Sequence, residues 1–304
     1  ADDSTYYAGT ITARGGIEGG DGGFAEVSGK QILNFEGFVD LGSPNGDGGL
    51  LLLDPVRVSL SNRATGNGGE PAGQSNVNIP ALVDLLETNN VENPLGGTDV
   101  IITTFGPPVS GYDPDILGDI IVEQDVAWDS HAFLELRAAR NIHVNANITT
   151  TDGDITLAAG TGNSVPFPSI WDQFAWPKIR LFQTADTGFH TGPLQRLDSS
   201  AGISSPNFGN SYVSGWAPGS VYIDASAAGR GVSVISKSGL VRALGYDVNV
   251  VGGSSLGHFA MLGSQHGQTN VIAKNNVNVI GNQGFAQIGI NDYELGFPAY
   301  STYG

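Results

Sequence analysis

The chain has 304 residues, of which 45 are glycine and none is cysteine, and 13 Lys and Arg stand against 30 Asp and Glu for a net charge of −17. The charge excludes a nucleic-acid binder, which must neutralise phosphates with basic residues, and the missing cysteines exclude disulfides and thiolate chemistry. Glycine stands at about twice its usual share, and the 40% hydrophobic residues, enough to build a core, argue against a disordered chain.

Short apolar-alternating runs closed by Gly, Asn or Asp recur along the whole chain. They begin at Thr10-Ile11-Thr12-Ala13 and return at 118–122, 141–144 and 153–157. Further copies are Val221-Tyr222-Ile223-Asp224, Val232-Ser233-Val234-Ile235, Val248-Asn249-Val250-Val251 and Val277-Asn278-Val279-Ile280. Alternation of β-branched residues with period two places one row inward and one outward, as in a half-buried strand. Between the early runs, residues 62–98 form a polar insertion around Ile79-Pro80-Ala81-Leu82-Val83-Asp84-Leu85-Leu86-Glu87. Proline near the start and Leu82, Leu85 and Leu86 on one side predict a single short helix that caps or flanks the strands. Residues 160–219 form a second insertion rich in proline and aromatic residues, expected to fold as a lateral excursion.

Self-similarity sets the architecture. Asp247-Val248-Asn249-Val250-Val251-Gly252 returns as Asn276-Val277-Asn278-Val279-Ile280-Gly281, and Phe259-Ala260-Met261-Leu262-Gly263 as Phe285-Ala286-Gln287-Ile288-Gly289. Those offsets are 29 and 26 residues (276 − 247 and 285 − 259), and Gly118-Asp119-Ile120 returns as Gly153-Asp154-Ile155 after 35. Such varying periods predict an all-β fold: one right-handed parallel β-helix over 1–304 whose rungs accept insertions, with Gly, Asn and Asp supplying positive-φ corners.

Candidate sites are few. Gly19-Gly20-Asp21-Gly22-Gly23 and Asn45-Gly46-Asp47-Gly48-Gly49 resemble calcium-binding nonapeptide turns, but they stand 26 residues apart (47 − 21) rather than in tandem. They read as glycine turns, so no cofactor and no metal site is assigned, with calcium the one ion such turns could bring in. Asp113, Asp115 and Asp119 read as a solvated acidic loop. Asp152 with Asp154, or Glu123 with Asp125, offers paired acids of the kind a glycosidase needs, yet no basic partner recurs beside them. Gly253-Ser254-Ser255-Leu256-Gly257 matches a nucleophile elbow without the helix that must follow, so it reads as a turn. No catalytic residue is assigned, and the chain is read as a non-enzyme. His131, His143, His190, His258 and His266 lack metal-ligand spacing. For specific contact the aromatic insertion stands out: Trp171, Trp176, Trp216 and Phe174 could stack on sugar rings or anchor a partner, or else bury themselves against the solenoid.

The segment 15–29, then Phe38-Val39-Asp40-Leu41, Gly49-Leu50-Leu51-Leu52-Leu53-Asp54-Pro55, the Pro80 helix, Asp99-Val100-Ile101-Ile102-Thr103 and Phe285-Ala286-Gln287-Ile288-Gly289 follow one another in a recognisable order. In this order they resemble filamentous-haemagglutinin-like exoproteins of bacterial two-partner secretion. The resemblance implies a secreted or surface-held β-helix for adhesion or structure, exported through an outer-membrane pore partner. The chain opens without a signal peptide and without that family's asparagine-proline signatures, so the resemblance implies a processed piece, or a start downstream of the secretion domain. No apolar run spans a membrane. The expected function is an extracellular structural or adhesive protein of a fibre, layer or assembly, whose partners are other copies or neighbouring surface proteins meeting its solenoid ends or lateral insertion. The alternatives are a carbohydrate-binding module using the aromatic insertion, with glycans as partners, or a polysaccharide-degrading β-helix enzyme.

Overall fold

Short strands that alternate inward and outward residues bury one side only when the chain coils and stacks each strand on its equivalent from the previous turn. The computed structural model, which describes residues 4–29, 32–63, 75–87, 97–104, 118–160 and 219–289, shows this coil. The first rung runs through β1 (Ser4–Tyr7), β2 (Thr10–Thr12) and β3 (Phe24–Gly29), and the second through β4 (Ile32–Phe35), β5 (Phe38–Asp40) and β6 (Leu50–Pro55). The third holds β7 (Val58–Ser61), β8 (Ser75–Asn78), helix α1 (Ile79–Leu86) and β9 (Asp99–Thr103). Then follow β10 (Ile120–Val122), β11 (Val126–Trp128) and β12 (Leu134–Ala138), and β13 (Ile142–Val144), β14 (Ile148–Thr150) and β15 (Ile155–Ala159). The last rungs comprise β16 (Val221–Asp224), the one-turn helix α2 (Ala225–Ala228), β17 (Val232–Ser236), β18 (Val241–Val251), β19 (Ala260–Ser264), β20 (Thr269–Ile280) and β21 (Ala286–Ile288).

Every pairing between these strands is parallel, and three faces result. Face A stacks β1-β4-β8-β7-β10-β13-β16, then the second halves of β18 and β20. Face B holds β2-β5 and, separately, β11-β14-β17-β19-β21. Face C stacks β3-β6-β9-β12-β15 and then the first halves of β18 and β20. The fold is a parallel β-helix.

The core is a set of columns running through the stack. One is Tyr7, Phe35, Val77, Leu60, Val122, Val144, Ile223, Val250 and Val279, each opposite the next across the ladder. Phe35 through Val250 are fully buried, each worth roughly 1.5–3 kcal/mol of hydrophobic stabilisation. Two of the sequence offsets are true rung repeats: Asp247 pairs with Asn276, and Ala260 with Ala286 while Phe259 stacks on Phe285 at 5.6 Å. The third is not. Ile120 lies on face A and pairs with Ile142, an offset of 22 (142 − 120), whereas Ile155 lies on face C opposite Leu134. The same corner chemistry introduces strands on different faces, which is why the two tripeptides look alike.

Helix α1 forms where predicted but neither caps nor flanks the solenoid. It takes a strand's place on face B, packed between β5 and β11. Asn78 caps it by accepting from the Ala81 N–H at 3.2 Å, Pro80 sits in the first turn, and Leu82, Leu85 and Leu86 are fully buried. A helix about 10 Å wide needs the room of two strands spaced about 4.8 Å. Face A carries two strands, β8 and β7, in the same stretch. Part of the predicted 62–98 insertion, β8 and α1, therefore belongs to the solenoid wall.

At the corners glycine takes the positive φ expected of it. Positive φ occurs at Gly118 (φ 84), which closes the turn into β10. Gly22 answers a different need, since a Cβ there would lie 1.7 Å from the Leu41 carbonyl oxygen. Asn and Asp at the corners act as acceptors for the next rung. Asp119 Oδ1 accepts from Asn141 N–H (3.0 Å), Asn141 Oδ1 from Ser220 N–H (3.0 Å), Ser220 Oγ from Asp247 N–H (3.2 Å) and Asp247 Oδ1 from Asn276 N–H (3.0 Å). This side-chain ladder satisfies backbone donors that the strands, ending at the corner, leave unpaired.

Candidate functional site

Two regions depart from the pattern of satisfied polar groups and covered core. The first is the corner between faces C and A, after β9 and β15 and before β10 and β16. On face C an outward column runs Ser28, Asp54, Thr103, Arg137 across successive strands. Outward positions normally meet water, yet Thr103 is only 4% exposed and Arg137 only 3%. Arg137 Nε donates to Glu135 Oε1 at 2.5 Å, an ion pair between two outward residues of one strand.

Asp54 Oδ1, Thr103 Oγ1 and the neighbouring Arg57 Nε are buried without a hydrogen-bond partner among the described residues. Burial, reinforced by the negative charge of Glu26, pushes the Asp54 carboxyl up to about 7. One rung on, Arg140 grips Asp119 with two bonds of 3.1 Å. Burial still raises the Asp119 carboxyl against the opposing pull of the Asn141 N–H and Arg140. His143 stacks on Tyr222 at 5.0 Å, and its imidazole is held below its ordinary range, chiefly by burial. Arg57 acts on Asp119 and His143, pulling both pKa values down, while Asp54 feels burial and Glu26. No sequence motif marks these residues, because Asp54 and Thr103 are single residues on different rungs.

The second region is the rung of β20 and β21. Val277 and Val279 occupy inward columns whose lower members, Val248 and Val250, are fully buried, yet they are 46% and 47% exposed. The outer edges of β20 and β21 bear no strand among the described residues. No sequence signal marks this edge, since Val277-Asn278-Val279 alternates as Val248-Asn249-Val250 does.

Trp171, Trp176, Trp216, Phe174, Asp113, Asp115 and His190 lie outside the described residues. The two glycine turns that suggested calcium stack on adjacent rungs, and Asp21 Oδ1 accepts from the Asp47 N–H at 2.9 Å, so that oxygen is committed to the backbone. Among the described residues no group of three or more His, Asp or Glu side chains is arranged to hold a metal. The paired acids do have basic partners, contrary to expectation: Arg63 meets Glu123 and Arg230 meets Asp125, at 2.9 and 2.8 Å. Each carboxylate is engaged by a different arginine. Asp152 accepts from the Ser238 hydroxyl, and Asp154 from the Leu240 N–H at 2.6 Å. Gly253 to Gly257 is a turn closed by His258 N–H to the Ser255 carbonyl at 2.9 Å.

Comparison of the chain with models of known protein families, with curated proteins and with solved structures finds no match. Among the described residues no helix is long and apolar enough to cross a membrane.

Proposed function

We propose that the chain is a structural or adhesive β-helix, secreted or held at a bacterial cell surface and built into a fibre, layer or larger assembly. The observation that carries this reading is the β20–β21 rung, whose core-type Val277 and Val279 stand half exposed on a parallel edge that no strand pairs among the described residues. Soluble β-proteins blunt such edges with charge, proline or a covering element; β20 offers twelve residues with one lysine and no proline. The resemblance of segment 15–29 and its successors to surface exoproteins supports an extracellular setting. Electron microscopy of the isolated protein, with antibody labelling of intact source cells, tests it: periodic assemblies and surface label are expected. Label confined to the cell interior would refute the reading.

A second reading rests on the Asp54, Arg57 and Thr103 polar atoms that have no partner among the described residues, which suit the hydroxyls of a saccharide. Binding on a glycan array that is lost in Asp54→Asn and Arg57→Met would favour it, and an array with no signal would remove it.

A further inference from the structure

We propose that Arg57 anchors a carboxylate-binding site on the face-A side of the corner, suited to a singly charged organic acid. The inference stands apart from both readings above, since it needs neither an assembly nor a sugar ring.

The corner leaves one positive charge without a bonded partner. Bonds from Gly118 N–H to the Val56 carbonyl (3.0 Å) and from Val58 N–H to the Asp119 carbonyl (3.2 Å) set Arg57 and Asp119 side by side on adjacent rungs. Val58 and Ile120, the next residues, are fully buried in the core, so alternation turns Arg57 and Asp119 outward. Asp119 is the natural partner for Arg57, but its carboxylate is already committed. Oδ1 accepts from Arg140 Nε at 3.1 Å and from Asn141 N–H at 3.0 Å, and Oδ2 accepts from Arg140 Nη2 at 3.1 Å. Arg140 thus takes the two-bond geometry that a guanidinium and a carboxylate prefer. Among the described residues Arg57 makes no hydrogen bond or ion pair, and its Nε is buried without an acceptor.

Charge selects the ligand. Arg57, Arg140, Asp119 and His143 lie close enough to act on one another's ionisation, and burial with the two arginines holds His143 below its ordinary range. Two guanidinium groups and a neutral imidazole against one carboxylate leave a local excess of one positive charge, in a chain whose net charge is −17. A lone guanidinium presents a planar fork of donors that matches the two oxygens of one carboxylate, and that fork supplies Nε with its missing acceptor. A doubly charged phosphate would bring its second negative charge beside Asp119, so a monoanion fits better. Next to Arg57 and Asp119 on face A runs the outward column Ile121, His143 and Tyr222, all half-buried, with the two rings stacked at 5.0 Å. This column gives the carbon skeleton of an organic acid an apolar flank beside the charged anchor.

NMR titration of the isotope-labelled full chain with acetate, galacturonate, glucose and sulfate tests the site. The Arg57 side-chain N–H and the His143 ring signals should shift with both carboxylates and stay still with glucose. A bound carboxylate offsets the Arg57 charge that holds the imidazole down, so saturation should raise the His143 pKa. Arg57→Gln should weaken carboxylate binding roughly tenfold or more and abolish that rise. Arg57→Lys, which keeps the charge and loses the fork, should recover only part of the affinity. Asp54→Asn should bind carboxylates no more weakly than the parent, which separates this site from the saccharide reading. Galacturonate binding more tightly than acetate would assign the site to sugar acids, and equal binding would assign it to simple acids; both keep the proposal. It is overturned if no carboxylate shifts Arg57, if Arg57→Gln binds as the parent does, if saturation leaves the His143 pKa unmoved, or if sulfate binds more tightly than acetate.

Discussion

Replacing Asp54 by asparagine should stabilise the protein at alkaline pH and leave it unchanged in acid. The Asp54 carboxyl stands outward on face C, desolvated and beside Glu26, which lifts it from an ordinary 3.8 to about 7. Between these two values the folded chain holds a proton that the unfolded chain has released. The unfolded state then binds fewer protons, so stability falls as pH rises from about 4 through about 7. About 3 pH units at about 1.4 kcal/mol each gives a loss of at most about 4 kcal/mol, complete above pH 7. Asparagine has the same shape and no charge, so it escapes the loss. Denaturant titrations of both proteins at several pH values should show curves that coincide near pH 4 and separate above it, the variant being more stable. A Glu26→Gln variant should narrow the gap. A difference between Asp54→Asn and the parent that is flat with pH, or that opens toward acid, would refute the reasoning.

Other consequences follow from packing and the corner ladder. Leu85→Ala should cost about 2–5 kcal/mol in chemical denaturation, because Leu85 is fully buried on the helix that replaces a strand. Gly22→Ala should prevent or severely weaken folding, whereas Gly257→Ala, where an added Cβ meets nothing within 4 Å, should leave the melting curve unmoved. Asn147→Ala should cost about 1–3 kcal/mol by equilibrium unfolding, since Asn147 Oδ1 accepts from both the N–H and the hydroxyl of Ser233 at 3.0 and 2.9 Å.

Much of the solenoid was legible because its chemistry repeats. Asp247 and Asn276 head similar strands, and so do Phe259 and Phe285; both pairs are stacked neighbours. The false repeat from Gly118 to Gly153 arose because glycine-aspartate introduces strands on face A and face C alike, and sequence carries no mark of the face. The order of β8 and β7 was likewise invisible, since Ser-Asn-Val-Asn can lie on either side of Val58-Ser-Leu-Ser. The candidate sites were illegible for a related reason. Asp54 and Thr103 come onto neighbouring strands only when the coil pairs Leu53 with Ile102. Val277 and Val279 repeat the pattern of buried valines, and only the end of the described stack exposes them.

The strand order β4-β8-β7 sets a problem for a chain made from its N-terminus. β7 is synthesised before β8, yet it does not rest on the strand already in place; β8 lies between them. Elsewhere each new strand can settle on an edge that already exists, as a zipper closes tooth by tooth. At this rung β7 must wait unsupported, or settle on β4 and later be displaced. The rest of the coil cannot extend faithfully until Ser75–Asn78 has slipped into place, so this one inversion makes the third rung a checkpoint in an otherwise sequential assembly.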